Sequence, residues 1–192
     1  MTARPDQPTQ VSHRAPNRGA AVVGLPVAVG AAVAIALGVY GGLHEPTGIA
    51  VSIAGFSGAK SAKSWLATVA FLLALVQLVS ALGMAGRLPG LALPWIPALH
   101  RWSGRVAVLI TVPVMVHCLY ALGFQSATPR VLIHSLLGCF FYGAFVAKML
   151  LLTRRGLPRW TIPVIGGLVF TSLVGLWLTS SLWYFTTFGL TR

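Results

Sequence analysis

Apolar residues fall along the chain in five long runs separated by short polar segments, at about 21–43, 65–84, 102–123, 131–152 and 162–185. Each run holds roughly 20 or more residues, which at about 1.5 Å per helical residue covers a hydrocarbon core of about 30 Å. Lipid offers no partners to free N–H and C=O groups, so each run must be a helix. The pattern predicts an all-α integral membrane bundle of five transmembrane helices, with residues 21–192 as one domain. Residues 1–20 contain three arginines, three prolines and no apolar run, and read as a disordered cytoplasmic tail. The first run is longer than a signal-peptide core and reads as a signal anchor. Pro26 and Pro163 are expected in first turns, where proline is tolerated. Pro113 lies inside the third run and should kink it, freeing a carbonyl near His117.

Composition agrees with this. The 192 residues are 56% hydrophobic and only 8% charged, against about 25% charged in a typical soluble domain. The formal charge of +12 is explained by topology rather than nucleic-acid binding, because the cations sit in the short connections. Ten of them (Arg4, Arg14, Arg18, Arg87, Arg101, Arg105, Lys148, Arg154, Arg155 and Arg159) fall on one side, and four (Lys60, Lys63, Arg130 and Arg192) on the other. That asymmetry puts the N-terminus in the cytoplasm, the C-terminus outside, and the chain in the cell membrane. Segment 85–100 carries enough apolar residues to lie on the membrane surface. Asp6 and Glu45 are the only acids. Paired-carboxylate catalysis and all-oxygen metal sites are therefore excluded, and no catalytic residue is assigned.

Candidate chemistry rests on histidine. His117 lies six residues before the end of the third run and His134 three residues into the fourth. This places them about 9 Å and 5 Å below the same surface. A short connection makes the two helices antiparallel neighbours. Two imidazoles in one leaflet on adjacent helices suit a bis-histidine haem. Haem needs its ligand helices further apart than direct packing at about 8–10 Å allows; tight packing of these two would require another partner. His44, just after the first run, is the third cofactor-binding candidate, as a substitute ligand, a propionate contact or a substrate contact. A structural reading stands beside this one, in which His134 bonds a neighbouring hydroxyl or backbone group and His117 bonds the carbonyl freed by Pro113. His100 lies about 25 Å of helix from His117 and cannot share an iron with it; the arginines around it suggest phospholipid contact. Zinc held by His44, His117 and His134 is a further alternative. Cys118 and Cys139 read as small buried hydrophobes. In the fourth run Gly138, Cys139, Gly143, Ala144 and Ala147 would allow close helix contact or leave room for a flat macrocycle.

His100-Arg101-Trp102-Ser103-Gly104-Arg105 resembles the HRxxGR start of a span in membrane b-type cytochromes, and His134-Ser135-Leu136-Leu137-Gly138 resembles the HSxLG element of the ascorbate-reducible type. The wider resemblance is to the superfamily of ascorbate-reducible and ferric-reductase-like membrane cytochromes, and to an uncharacterised actinobacterial family of small multi-pass proteins. It implies a helical bundle holding haem b and passing electrons, an oxidoreductase component whose partner is a quinone or an extracytoplasmic carrier. The ascorbate-reducible type has four ligand histidines in two layers. Here the inner layer has only His100 and, in the tail, His13, so the resemblance carries over one outer haem, with His134 matched by motif and His117 by position. The alternative is a cofactor-free membrane scaffold or accessory subunit of a larger complex.

Overall fold

The computed structural model describes residues 18–48, 56, 58–91 and 93–190. The expected tail lies outside the described residues up to position 17. The described elements are all helical: α1 (Arg18–Leu43), α2 (Ala59–Met84), α3 (Ile96–Val116), a π-helical turn (His117–Leu122), α4 (Pro129–Leu152), α5 (Thr161–Trp177), a second π-helical turn (Leu178–Leu182) and α6 (Trp183–Phe188). The π-turns continue their helices, so five rods are long and apolar enough to cross a membrane: Val22–Leu43, Ala59–Met84, Ile96–Leu122, Pro129–Leu152 and Thr161–Phe188. Their outer faces expose large apolar side chains such as Ile35, Leu72, Leu109 and Leu136, which suit contact with lipid tails. This is a multi-pass membrane protein.

Two helices start well before the apolar runs do. α2 begins at Ala59, so Lys60 and Lys63 stand on a helix rather than in a loop. α3 begins at Ile96 with Pro97 in its first turn, where a missing N–H costs nothing. Thr128 caps α4 by accepting the Val131 N–H at 3.3 Å, ahead of Pro129. Pro26 is a correction to expectation: α1 starts at Arg18, so this proline sits inside the helix, and its side chain is fully buried. Pro113 is carried within α3, and the backbone widens into the π-turn four residues later.

The rods pack in the order α3–α2–α5–α4–α1, and the first π-turn touches α1 to close the ring. α3 and α4 are therefore not packed neighbours, contrary to what their short connection suggests. α4 is instead committed to α1. Gly30 and Gly143 face each other so closely that a Cβ on Gly30 would lie 2.5 Å from the Gly143 carbonyl oxygen, and a Cβ on Gly143 2.5 Å from that of Gly30. Ala34 and Ala147 extend the contact, giving small residues four apart on both helices, which lets the backbones meet. Ala144, Ala147 and Leu151 of α4 also pack with Ile165 of α5.

α2 and α3 are joined by a polar knot. The Gln77 amide donates to the His100 carbonyl and, at 2.7 Å, to Ser103 Oγ. Ser80 Oγ donates to the Val76 carbonyl at 2.6 Å and lies 2.8 Å from His100 Nδ1. Gly104 leaves the room this needs, since a Cβ there would lie 2.9 Å from Gln77 Oε1. Much of the HRxxGR-like element is thus spent on helix pairing.

Two outcomes follow. Gly143→Leu should lose about 1–3 kcal/mol through overpacking, read as a lower Tm in detergent, while Gly167→Ala, with nothing within 4 Å of its Cβ position, should leave Tm unchanged. Gln77→Leu should lose about 1 kcal/mol, within the range for interhelical hydrogen bonds in membranes, checked in the same assay.

Candidate functional site

Where α3 and α4 stand apart, a cavity of about 260 Å³ opens, walled also by α2, α5 and both π-turns. This is slightly below the usual range of small-molecule sites, about 300–1,000 Å³. Its body is apolar, formed by residues such as Val114, Met115, Phe141, Leu173 and Leu176. The Tyr142 hydroxyl crosses the gap and donates to the Thr111 carbonyl at 2.9 Å. At the end where α2 and α4 begin, the lining carries Lys60, Lys63 and Arg130 and no carboxylate.

His134 lines this cavity. Its Nδ1 lies 3.0 Å from Thr179 Oγ1, whose own hydrogen goes to the Gly175 carbonyl at 2.7 Å. A hydroxyl has one hydrogen to give. Thr179 Oγ1 is thus placed to accept from His134 Nδ1–H, and the Leu176 backbone carbonyl also reaches the His134 ring. Thr179 also engages Arg130: its backbone carbonyl accepts Arg130 Nη1 at 2.6 Å, and the guanidinium lies 3.8 Å from the Trp183 ring centroid.

His117 is only 9% exposed, and neither of its ring nitrogens has a hydrogen-bond partner. The Pro113-freed carbonyl is thus not its partner. His117 is not itself in the cavity lining, but the next residue, Cys118, is, with Lys63 Nζ 4.0 Å from its sulfur. A buried, unsatisfied imidazole is expensive and calls for a physical reason.

His44 is placed elsewhere. It stacks between Tyr40 and Tyr120, with ring centroids 5.1 and 4.9 Å away, and its Nε2 lies 3.2 Å from the Tyr120 carbonyl oxygen. It belongs to a clasp binding the end of α1 to the first π-turn. Phe124 N–H donates to Gly41 at 2.7 Å, Thr47 N–H to Tyr120 at 3.3 Å, and Gly48 N–H to Ala121 at 3.2 Å. Gly123, with φ near 70°, makes the turn beneath it. His100 lies in the α2–α3 knot. Among the described residues no three His, Cys, Asp or Glu side chains converge as a metal site, which speaks against the three-histidine zinc alternative.

The small-residue stripe of α4 is divided: Gly143 and Ala147 allow the close contact with α1, while Gly138 and Cys139 line the cavity. Cys118 and Cys139 are free, part-exposed thiols on the cavity wall. The sequence reading missed Thr179 as a site residue, although Thr179-Ser180-Ser181 is the polar interruption of the last apolar run. It also missed both π-turns, a geometry that recurs at functional sites.

A family model matches residues 9–192. The chain belongs to the DUF6529 family. This is described as a family of unknown function, and the matched region takes in all five membrane-length helices and every residue of the cavity. No curated protein and no solved structure matches the chain.

Proposed function

We propose that this DUF6529 protein is a membrane electron carrier holding one haem b between α3 and α4, with His134 and His117 as the iron ligands. The observation that carries the reading is a histidine on the cavity wall together with a second, buried histidine one position from the cavity-lining Cys118. One lines the cavity with its Nδ1 beside Thr179 Oγ1; the other is buried with both nitrogens unpartnered. These are the marks of side chains whose partner is not a protein group. The donor set also fits: neutral imidazole nitrogens, an apolar surround and cations at one end.

Haem would supply reversible one-electron exchange at this site. The remaining work belongs to the chain. Thr179 holds the His134 ring. The clasp steadies the π-turn that bears His117, one position from the cavity-facing Cys118. Phe141, Leu173 and Leu176 keep water from the buried part, Gly138 leaves room for a flat group, and Lys60, Lys63 and Arg130 meet carboxylates. By the ten-to-four distribution of cations, the end with Lys60 and Arg130 faces outside the cell membrane. The redox partner is then a quinone or an extracytoplasmic carrier.

Protein purified from haem-supplied cells should be red, with a Soret band that shifts on reduction. His117→Ala and His134→Ala should each lose most of that absorbance. Gly138→Trp should lose it while keeping the wild-type helical signal in circular dichroism. A colourless wild-type preparation overturns the proposal, and a stoichiometric partner subunit co-purifying with it would establish the cofactor-free accessory role.

A further inference from the structure

We infer that Thr179 is the positioning residue of the cavity. From the second π-turn it fixes His134 as the Nδ1-protonated tautomer and anchors Arg130 beside it. The site thereby takes a ligand that brings an electron-pair-accepting centre and, one helical turn away, an anionic arm. The inference deepens the haem reading and rests on it only for the identity of that ligand.

The hydroxyl and the carbonyl of one residue divide the task. The Thr179 hydroxyl hydrogen is spent on the Gly175 carbonyl, 2.7 Å away, with the Leu176 carbonyl at 3.3 Å as its secondary acceptor. What it offers His134 is a lone pair, and only the Nδ1–H tautomer uses that. Second-shell acceptors of this kind set ring orientation and tautomer in metal sites. The Thr179 carbonyl is reached by Arg130 Nη1 at 2.6 Å. In a regular α-helix the N–H of residue 183 would claim it. Here the Trp183 N–H goes to the Ser180 carbonyl, so it does not compete. The π-geometry thus presents both acceptors of Thr179 toward α4.

Arg130 and His134 are four residues apart on α4, so they project as neighbours from one face. Arg130 rests on the Trp183 ring. Lys63 faces them from α2, and no acid lines the cavity. A neutral, wholly apolar ligand would bury these cations uncompensated. An anionic arm answers them, and the Nε2 lone pair asks for a Lewis-acidic centre or a proton donor.

The test is nitrogen NMR on protein labelled with ¹⁵N-histidine, kept reduced in lipid nanodiscs, with the His134 signals assigned by their loss in His134→Ala. Wild type and Thr179→Ser should show a protonated Nδ1 and an unprotonated Nε2. In haem-free protein Thr179→Val should move His134 toward the other tautomer, and in red protein, where iron would itself hold Nε2 unprotonated, it should shift the midpoint potential, with Thr179→Ser restoring it. A wild-type His134 protonated at Nε2 overturns the inference without any variant, as does a folded, haem-free Thr179→Val with unchanged signals. Colourless wild type with the predicted tautomer would overturn the haem reading and support the role of Thr179.

Discussion

The close approach of Gly30 to Gly143 decides the architecture of this bundle. Because neither glycine carries a Cβ, α1 and α4 meet backbone to backbone. α4 then has α1 on one side and α5 on the other, and α3 is tied to α2 through Gln77, His100 and Ser103. Two helices joined by a short connection are each given to someone else. The gap between them is the residue of that assignment, and the candidate site occupies it.

Bilayer chemistry gives the polar groups around that gap their meaning. In lipid a side chain without a partner has no water to fall back on. Most of the polar side chains inside this bundle obey the rule by bonding a carbonyl one turn back, as Ser64, Thr68, Ser103 and Ser172 do, or by bridging helices, as the Trp177 indole does to Thr68 Oγ1 at 3.0 Å. His117 stands out against that background because it is buried and does neither. Thr161 Oγ1 and Ser181 Oγ are also buried without a partner, but each is a single hydroxyl, whereas His117 leaves both of its ring nitrogens unanswered.

The five crossings were legible because hydropathy over about 20 residues is a coarse signal that tertiary detail cannot erase. Their ends were less so: Ala59–Ser64 and Ile96–Arg101 are helical beyond the apolar runs, because helix ends follow backbone geometry, which hydropathy does not record. Which helix packs on which was not legible from connection length. It was partly visible in the glycine and alanine spacing of α4, but that stripe named no partner. His134 was readable as a site residue from its depth. Thr179 was not, since its role depends on a π-turn bringing hydroxyl and carbonyl to the same neighbour. His44 looked equivalent to the other histidines in sequence and differs from them only through its stacking partners.

The clasp between segment 44–48 and the first π-turn has one more consequence. Two of its bonds run from main chain to main chain, from the Thr47 and Gly48 N–H groups, and two involve the His44 and Thr47 side chains, so it is sensitive both to those side chains and to how many residues the segment contains. The ring of helices is buckled at one end by a strap whose length is specified along with a few of its letters, His44 between two tyrosines and Gly48 at φ near 66°. Adding or removing a single residue would shift every one of those fastenings at once.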